Sequence, residues 1–205
     1  MVGKREINRI GILVFDDVEE LDAVGPYQVF GTARSEFPES FHVSLIAQSA
    51  EAPVRCVNGL RILPDHDFGT APALDVLVIP GGIGTRRVAV DRHALEWIRA
   101  TVRRCRWVAS VCTGARITFA AGLADGKRIT THWSAIEELR ATGRAQVLDD
   151  VRFVRDGNVI HSAGVSAGID MALWLVGELA QDPLAARKVQ KMLEYYPAPP
   201  YAYLA

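Results

Sequence analysis

The hydrophobic and polar positions along this chain alternate between short apolar runs and longer stretches with helical periodicity. The apolar runs occupy residues 10–15, 41–48, 76–79 and 107–111. The helical stretches occupy residues 27–33, 92–104, 117–121, 135–141, 169–179 and 184–193. Continuous apolar runs are typical of parallel strands that are covered on both faces. The alternation therefore predicts an α/β fold with a mostly parallel sheet and helices on both faces.

Shorter strands and turns complete this pattern. Asn58-Gly59 lies between two β-prone segments, and Asp156-Gly157 lies between two others, so each pair predicts a hairpin. Further predictions are short strands at 128–131 and 146–148, a polar connection at 65–73, and a non-helical tail at 195–201. The tail is rich in tyrosine and proline, and we expect it to pack on the domain or on a partner chain.

A cysteine stands directly after the apolar run at 107–111. Small residues follow Cys112, and then a helical segment, so the pattern predicts a strand, a sharp turn and a helix. Such a nucleophile elbow lifts one side chain clear of the sheet. The amides at the start of the next helix would favour the thiolate of Cys112 over the thiol. The alternative is that Cys112 is a small buried core residue, as most free cysteines are.

Two other segments are predicted to end at the same edge of the sheet. Asp22 lies among apolar residues after the first strand, and it is either a helix cap or a carboxyl held at that edge. Gly81-Gly82 follows the strand at 76–79, either as a plain turn or as a turn whose N–H groups bind an anion. Ligands bind beyond the carboxyl ends of such strands, so these residues and Cys112 are candidates for one site.

Within that site, the residue types indicate distinct roles. The Asp22 carboxyl would hold or move the thiol proton, and the N–H groups of Gly82 and Thr113 would stabilise developing negative charge. A carboxylate would repel a thiolate. If Asp22 touches the sulfur of Cys112, we therefore expect the carboxyl to be protonated, with a pKa raised by partial burial and by the nearby charge.

The composition excludes several classes of protein. The chain has 205 residues, 49% hydrophobic and 23% charged, which predicts one soluble domain over residues 1–205. The net charge of −1 indicates neither a nucleic-acid partner nor a membrane-surface partner. Three scattered cysteines favour a reducing, cytoplasmic compartment, and no Cys/His cluster has metal-ligand spacing. Residues 1–9 are too short and polar for a signal peptide or an anchor.

Several short motifs follow one another along the chain. They are Leu21-Asp22, Gly25-Pro26, Pro80-Gly81-Gly82, Val111-Cys112-Thr113-Gly114, Ala120-Ala121-Gly122-Leu123, Thr130-Thr131-His132-Trp133, Ala167-Gly168-Ile169-Asp170, and Glu194-Tyr195 with Pro197-Ala198-Pro199-Pro200. This ordered set resembles the PfpI/ThiJ superfamily, which is related to class I glutamine amidotransferases. Within the superfamily it is most similar to the isocyanide (isonitrile) hydratase branch. The resemblance extends from about Ile10 to Pro200.

The resemblance implies a flavodoxin-like sandwich, a homodimer and a reactive cysteine at the elbow. Carried over by position, Cys112 is the nucleophile, Asp22 is its acidic partner, and Thr113 supplies polar contacts. The implied reaction is the addition of water to a small electrophile, an isocyanide, to give an N-substituted formamide. Asp22 would act as acid and base in turn, and no metal or organic cofactor is implied.

Some positions depart from the pattern. Thr113 stands where the protease and amidase branch has a histidine, so no cysteine–histidine dyad arises from adjacency. His132 and His161 are the remaining bases near strand ends, although isolated histidines are more often structural. Arg116 replaces an apolar residue one helical turn after Cys112, and it could bind an anionic substrate or pair with a surface acid. The residues predicted around the pocket are Gly81, Arg116, His132, His161, Gly164 and Val165.

Two other functions stay open. A cysteine-dependent amidase or a glyoxalase/deglycase-like hydrolase would need a histidine or a glutamate near the thiol of Cys112. A non-catalytic member of the superfamily would use the same thiol as a redox sensor or would only bind a ligand. DNA binding is not expected, because the sequence predicts no helix-turn-helix domain and no basic recognition helix.

Overall fold

The computed structural model describes residues 7–197, with a seven-stranded sheet at its centre and two small two-stranded sheets beside it. The strands are β1 (Asn8–Leu13), β2 (Phe41–Ala47), β3 (Val54–Arg55), β4 (Arg61–Ile62), β5 (His66–Asp67), β6 (Val76–Ile79), β7 (Trp107–Val111), β8 (Arg128–Ile129), β9 (Gln146–Val147), β10 (Phe153–Asp156) and β11 (Val159–Ser162). The helices are α1 (Glu20–Glu36), α2 (Thr85–Val88), α3 (Arg92–Val102), α4 (Ala115–Ala120), α5 (Ile136–Arg140), α6 (Ala167–Ala180) and α7 (Pro183–Met192), with 3₁₀ turns at Cys112–Gly114 and Trp133–Ala135.

The central sheet has the strand order β10-β11-β7-β6-β1-β2-β5. The pairing of β10 with β11 is antiparallel, and the other neighbouring strands are parallel. The chain moves from β1 to β2 on one side and later returns to β6 on the other side of β1. A crevice opens at such a switch point, beyond the carboxyl ends of the strands. The predicted flavodoxin-like, mostly parallel α/β fold is confirmed.

Helices cover both faces of the sheet. Ile10 and Ile12 of β1 belong to the apolar cluster that includes residues of α1, α6 and α7. Leu13, one position further along β1, belongs to the cluster that includes residues of α3 and α4. Alternate strand residues point to opposite faces, which is why both faces of this strand need apolar side chains. The sheet core therefore holds the carboxyl ends of β1, β6 and β7 side by side.

Helix α1 is longer than the sequence predicted. It begins at Glu20 and continues through Pro26, which lies inside the helix rather than in its first turn. The Pro26 ring packs close to α6, 3.5 Å from the position of a Cβ on Gly168. This packing offsets the cost of a proline in a helix interior. Asp22 consequently lies in the first helical turn with a buried side chain, so the helix-cap alternative for Asp22 is wrong.

Both predicted hairpins are present, whereas two elements were missed. Strands β3 and β4 pair antiparallel, as do β10 and β11. Strand β5 lies in the segment 65–73, which was predicted to be a polar connection, and helix α2 lies in a segment for which no element was predicted. Strand β5 has only two residues, and α2 has four, so neither is long enough to show a hydrophobic period.

Two smaller features are the cap before α5 and the end of the described chain. His132 caps the 3₁₀ turn before α5, because its side chain accepts the Ser134 N–H at 3.3 Å. Tyr195 is partly buried against the main apolar cluster and is not helical. Tyr196 is also not helical, but it is 66% exposed, and residues 198–201 of the predicted tail lie outside the described residues.

Substitution of Gly114 tests how closely the elbow approaches the end of β6. A Cβ at Gly114 would lie 2.2 Å from the Ile79 carbonyl oxygen, whereas a Cβ at Gly31 in α1 would meet nothing within 4 Å. We expect Gly114→Ala to lower the free energy of unfolding by about 1–3 kcal/mol through overpacking. Gly31→Ala should raise it by about 0.5–1 kcal/mol, as a helix-interior glycine replacement. Urea unfolding of both variants measures the difference, and an equal response would contradict the close approach.

Candidate active site

Cys112 lies at a sharp bend between β7 and α4. Its backbone φ is 57°, in the left-handed region that non-glycine residues rarely adopt. Two buried hydrogen bonds hold the bend: the Cys112 N–H donates to the Ala163 carbonyl oxygen at 3.0 Å, and Thr131 Oγ1 donates to the Cys112 carbonyl oxygen at 2.7 Å. The structure therefore has the predicted elbow, with its strain supported from β11 and β8.

Three segments of the chain converge at the elbow. The Gly81 N–H, after β6, donates to Asp22 Oδ2 of α1 at 2.9 Å. A Cβ on Gly81 would lie 2.7 Å from Asp22 Oδ2, 2.8 Å from Cys112 Cβ and 2.6 Å from the Thr113 nitrogen. All three atoms thus surround one point that only a glycine leaves free. The structure brings Asp22, Gly81, Cys112 and Thr113 together, as the sequence predicted.

Asp22 carries a buried carboxyl group with an altered proton affinity. Its side chain is fully buried, and this burial raises the pKa of Asp22 to about 7. The Gly81 N–H lowers the pKa, because it stabilises the charged form, while the charge of Glu19 raises it. Asp22 Oδ1 has no hydrogen-bond partner among the described residues. The carboxyl is therefore a group that can hold a proton near neutral pH.

The thiol of Cys112 behaves differently from the sequence-based expectation. Burial raises the pKa of Cys112 to about 12, and the charge of Asp22 adds to the effect. The N–H groups of Thr113 and Val165 lower it, but they do not outweigh burial. The expected preference for thiolate is wrong while Asp22 is charged. The reason is that burial of the sulfur, to which the Asp22 charge adds, raises the pKa of Cys112 more than the amides after the elbow lower it.

The N–H groups near the sulfur of Cys112 also differ from the predicted oxyanion donors. The Gly82 N–H donates to Thr113 Oγ1 at 3.0 Å, and Thr113 Oγ1 lies 3.2 Å from the Gly82 carbonyl oxygen, to which it donates. The Gly82 amide is consequently occupied rather than directed at the sulfur, and that part of the prediction is wrong. The N–H groups that act on the Cys112 sulfur belong to Thr113 and Val165.

The role of the Val165 amide was not visible in the sequence. Val165 has a φ of 50°, which is unusual for a β-branched residue, and its N–H acts on both Cys112 and Asp22. Gly164 and Val165 were predicted among the pocket residues, and both line a cavity beside the elbow, but no sequence pattern indicated the direction of the Val165 N–H. Gly164 lies against the His132 ring, since a Cβ there would be 2.4 Å from His132 Cδ2.

Neither candidate histidine bonds to the thiol of Cys112. His161 is buried, and its Nε2 donates to Thr118 Oγ1 at 2.9 Å, because that hydroxyl donates to the Ala115 carbonyl oxygen. Burial lowers the pKa of His161 to about 3, so its ring is neutral and lies in the core rather than in a pocket. His132 Nδ1 is 2.8 Å from Ser134 Oγ, and burial followed by the charge of Arg116 lowers its pKa.

Arg116 is paired with the carboxylate of Glu138. Of the two alternatives for Arg116, pairing with a surface acid is therefore the one observed, rather than a free cation for an anionic substrate. Arg116 Nε donates to Glu138 Oε1 at 2.8 Å, and a second nitrogen donates to the other carboxylate oxygen. The Arg116 side chain is only 10% exposed. Its charge is therefore neutralised by Glu138, although it still acts on Cys112 and His132.

The described part of the chain shows neither a cluster of metal ligands nor a membrane-spanning helix. Among residues 7–197, no group of three or more His, Cys, Asp or Glu side chains is placed to hold a metal ion. None of the helices over the same residues has the length and apolar character needed to cross a bilayer.

Asp22→Asn tests the cost of the buried carboxyl, since asparagine keeps an acceptor for the Gly81 N–H without a charge. The folded-state pKa of Asp22 is about 7 against an ordinary 3.8. Its stabilising contribution is complete below pH 3.8 and is lost as the pH rises to about 7. We expect Asp22→Asn to raise the free energy of unfolding by about 2–4 kcal/mol at pH 8 and hardly at all at pH 4.

Urea unfolding at the two pH values measures this effect. Glu39→Gln, which changes an exposed carboxyl, is the matched control and should show no comparable pH dependence. An Asp22→Asn effect that is the same at pH 4 and pH 8 would contradict a carboxyl pKa raised by burial.

Comparison with known proteins agrees with this geometry. A model of the DJ-1/PfpI family matches residues 8–178. The isonitrile hydratase of Pseudomonas putida is 42% identical over 193 residues, which are 94% of this chain and 81% of that protein. The Parkinson disease protein 7 homolog of Danio rerio is 28% identical over 191 residues, covering 91% of this chain and 95% of the relative.

A solved structure of the same family has a similar fold. A THiJ/PfpI family protein from Pseudomonas syringae is 36% identical and has a TM-score of 0.85, over 97% of this chain and 79% of that chain. The family match spans most of the sequence, and the elbow and sheet order lie within it. The chain therefore belongs to the DJ-1/PfpI family.

Proposed function

We propose that this protein is a cofactor-independent hydratase that adds water to an isocyanide to give an N-substituted formamide. The observation that carries the proposal is the buried Asp22 carboxyl held beside the Cys112 thiol, with both candidate histidines bonded elsewhere. The 42% identity to a protein named isonitrile hydratase supports the same reaction class. Cys112 is the proposed nucleophile, and Asp22 is the proposed proton carrier.

The first half of the reaction adds the thiol across the terminal carbon of R–N≡C. Asp22 accepts the proton from Cys112 as the sulfur attacks that carbon, and it then delivers the proton to the same carbon. The product is a thioimidate, R–N=CH–S, in which the sulfur belongs to Cys112. The N–H groups of Thr113 and Val165 stabilise the sulfur while it carries negative charge.

The second half adds water and releases the product. Asp22 removes a proton from water as the oxygen adds to the thioimidate carbon, and it then passes that proton to the nitrogen. The C–S bond then breaks, the carbonyl forms, and the hydroxyl proton returns through Asp22 to the sulfur of Cys112. The net change is R–N≡C plus H₂O to R–NH–CHO, and the enzyme regains its starting protonation.

The other reaction classes have less support in this geometry. An amidase or a glyoxalase/deglycase-like hydrolase would place a histidine or a glutamate at the sulfur. His132 bonds to Ser134 and His161 bonds to Thr118, and the carboxyl group that acts on Cys112 belongs to Asp22. A redox sensor would expose its thiol, whereas Cys112 is 6% exposed. These contacts favour a carboxyl-assisted reaction of Cys112.

We also propose a homodimer, as the family resemblance implies, and a cytoplasmic location, in keeping with the cysteine content of the chain. An apolar strip on α1 supports the dimer: Leu21, Val24 and Tyr27 are 38%, 37% and 37% exposed. Exposed apolar side chains grouped on one helix next to the site are typical of a protein interface.

Substitutions at the cysteines test the nucleophile. We expect Cys112→Ala to abolish formation of N-cyclohexylformamide from cyclohexyl isocyanide, because no sulfur remains to attack the carbon. Cys105→Ala is the matched control, since Cys105 is also a buried free cysteine but lies under α3. It should keep activity within about twofold. Hydration by Cys112→Ala, measured by product chromatography, would exclude the proposed role.

The pH profile tests the shared proton. The reactive form is the pair that holds one proton between Asp22 and Cys112, whichever atom carries it. The first proton leaves the pair near the Asp22 pKa of about 7. We expect kcat/KM to fall about tenfold per pH unit below that value and to level off above it. Asp22→Asn should remove this inflection and lower kcat by about 10²–10³-fold. An unchanged profile in that variant would exclude Asp22 as the proton carrier.

A further inference from the structure

A cavity of about 410 Å³ lies next to the elbow, and no step of the proposed reaction uses it. Its walls come from residues 130–133 and 136, from residues 149–152, and from residues 163–165. Its volume falls within the range of about 300–1,000 Å³ that is typical of small-molecule sites. Cys112 is not one of the wall residues, so the cavity extends beside the thiol rather than around it.

Three wall residues of the cavity nevertheless contact Cys112. Thr131, Ala163 and Val165 are all wall residues. The first two hold the Cys112 carbonyl oxygen and N–H, at 2.7 and 3.0 Å, and the Val165 N–H acts on the sulfur. A molecule attached to the sulfur therefore has this cavity as adjacent space.

The walls are suited to an uncharged, apolar group. Trp133, Ile136 and Val151 contribute apolar side chains. The Trp133 indole is 80% exposed and lies tilted beside the His132 ring, with ring centroids 5.3 Å apart. An exposed indole at the mouth of a cavity offers a flat surface against which a ring or a branched alkyl group can pack.

The charges around the cavity disfavour an anionic group. Arg152 in the wall donates to Asp170 at 2.7 Å, and Arg116 behind His132 donates to Glu138 at 2.8 Å. Both guanidinium groups are thus already neutralised by carboxylates. Asp150 adds negative charge to the same wall, where Asp149 is paired with Arg140 at 3.4 Å. A carboxylate on the ligand would be repelled by Asp150 and would meet no unpaired arginine or lysine among the described wall residues.

We propose that this cavity receives the apolar substituent of the molecule that reacts at Cys112, and that Trp133 determines specificity for aromatic and branched aliphatic substituents. The inference rests on the proposed function for the identity of the reacting group, an isocyanide. The selectivity for the attached substituent follows from the cavity itself, so the two claims can be tested apart.

Alkylation of Cys112 tests the cavity without hydration. The probes are iodoacetamide and N-benzyl iodoacetamide, with modification of Cys112 followed by mass spectrometry. In the wild type we expect the benzyl reagent to react about tenfold faster, because its ring packs in the cavity. Trp133→Ala should reduce the ratio of the two rates to near one, and Trp133→Phe should preserve most of it. Val90→Ala is the control, since Val90 is 81% exposed and lies outside the cavity.

Hydration kinetics complete the test. Trp133→Ala should lower kcat/KM for benzyl isocyanide about tenfold through KM, and leave methyl isocyanide unchanged. A wild-type alkylation ratio near one, or a ratio that Trp133→Ala does not change, overturns the inference. A Trp133-dependent alkylation ratio in a protein that hydrates no isocyanide supports the cavity assignment and overturns the proposed function instead.

Discussion

The hydrogen bond from the Gly81 N–H to Asp22 holds a fully buried carboxyl beside the thiol of Cys112. The proton affinities of both groups and the close packing of α1, β6 and the elbow depend on this contact. A buried carboxyl without a cation is costly when it is charged, so the fold raises its pKa into the neutral range. The same burial that costs stability above neutral pH makes the proton available for chemistry. Proximity to the thiol then couples the titration of the two groups.

The backbone around this pair is strained, and each strained residue is held by neighbours. Cys112 and Val165 both have positive φ, and the bend at Cys112 is held by the Ala163 carbonyl and the Thr131 hydroxyl. Gly81 and Gly114 allow α1, β6 and the elbow to approach more closely than any side chain would permit. Strain of this kind persists only where the surrounding structure overdetermines it, which is why the elbow lies between buried strands.

Much of the site could be predicted because its residues follow strands that are neighbours in the sheet. Asp22, Gly81 and Cys112 each follow an apolar run, and parallel strands bring such positions to one edge. Cys112 and its partner were therefore identified correctly as neighbours. The Gly82 amide was misassigned because Thr113 Oγ1 occupies it, and His161 was placed in the pocket although its ring bonds to Thr118 in the core. Both errors concern side-chain partners that lie about 30 or more positions away in sequence.

The sequence by itself determined the strand and helix alternation, the position of the elbow and the family, because these depend on local periodicity and on short motifs. The tertiary structure alone decided the proton balance of Asp22 and Cys112, the neutralisation of Arg116 by Glu138, and the cavity beside Trp133. Burial, charge pairing and the shape of a cavity each depend on residues that are distant from one another in the chain. They have no local pattern, so only the folded arrangement fixes their values.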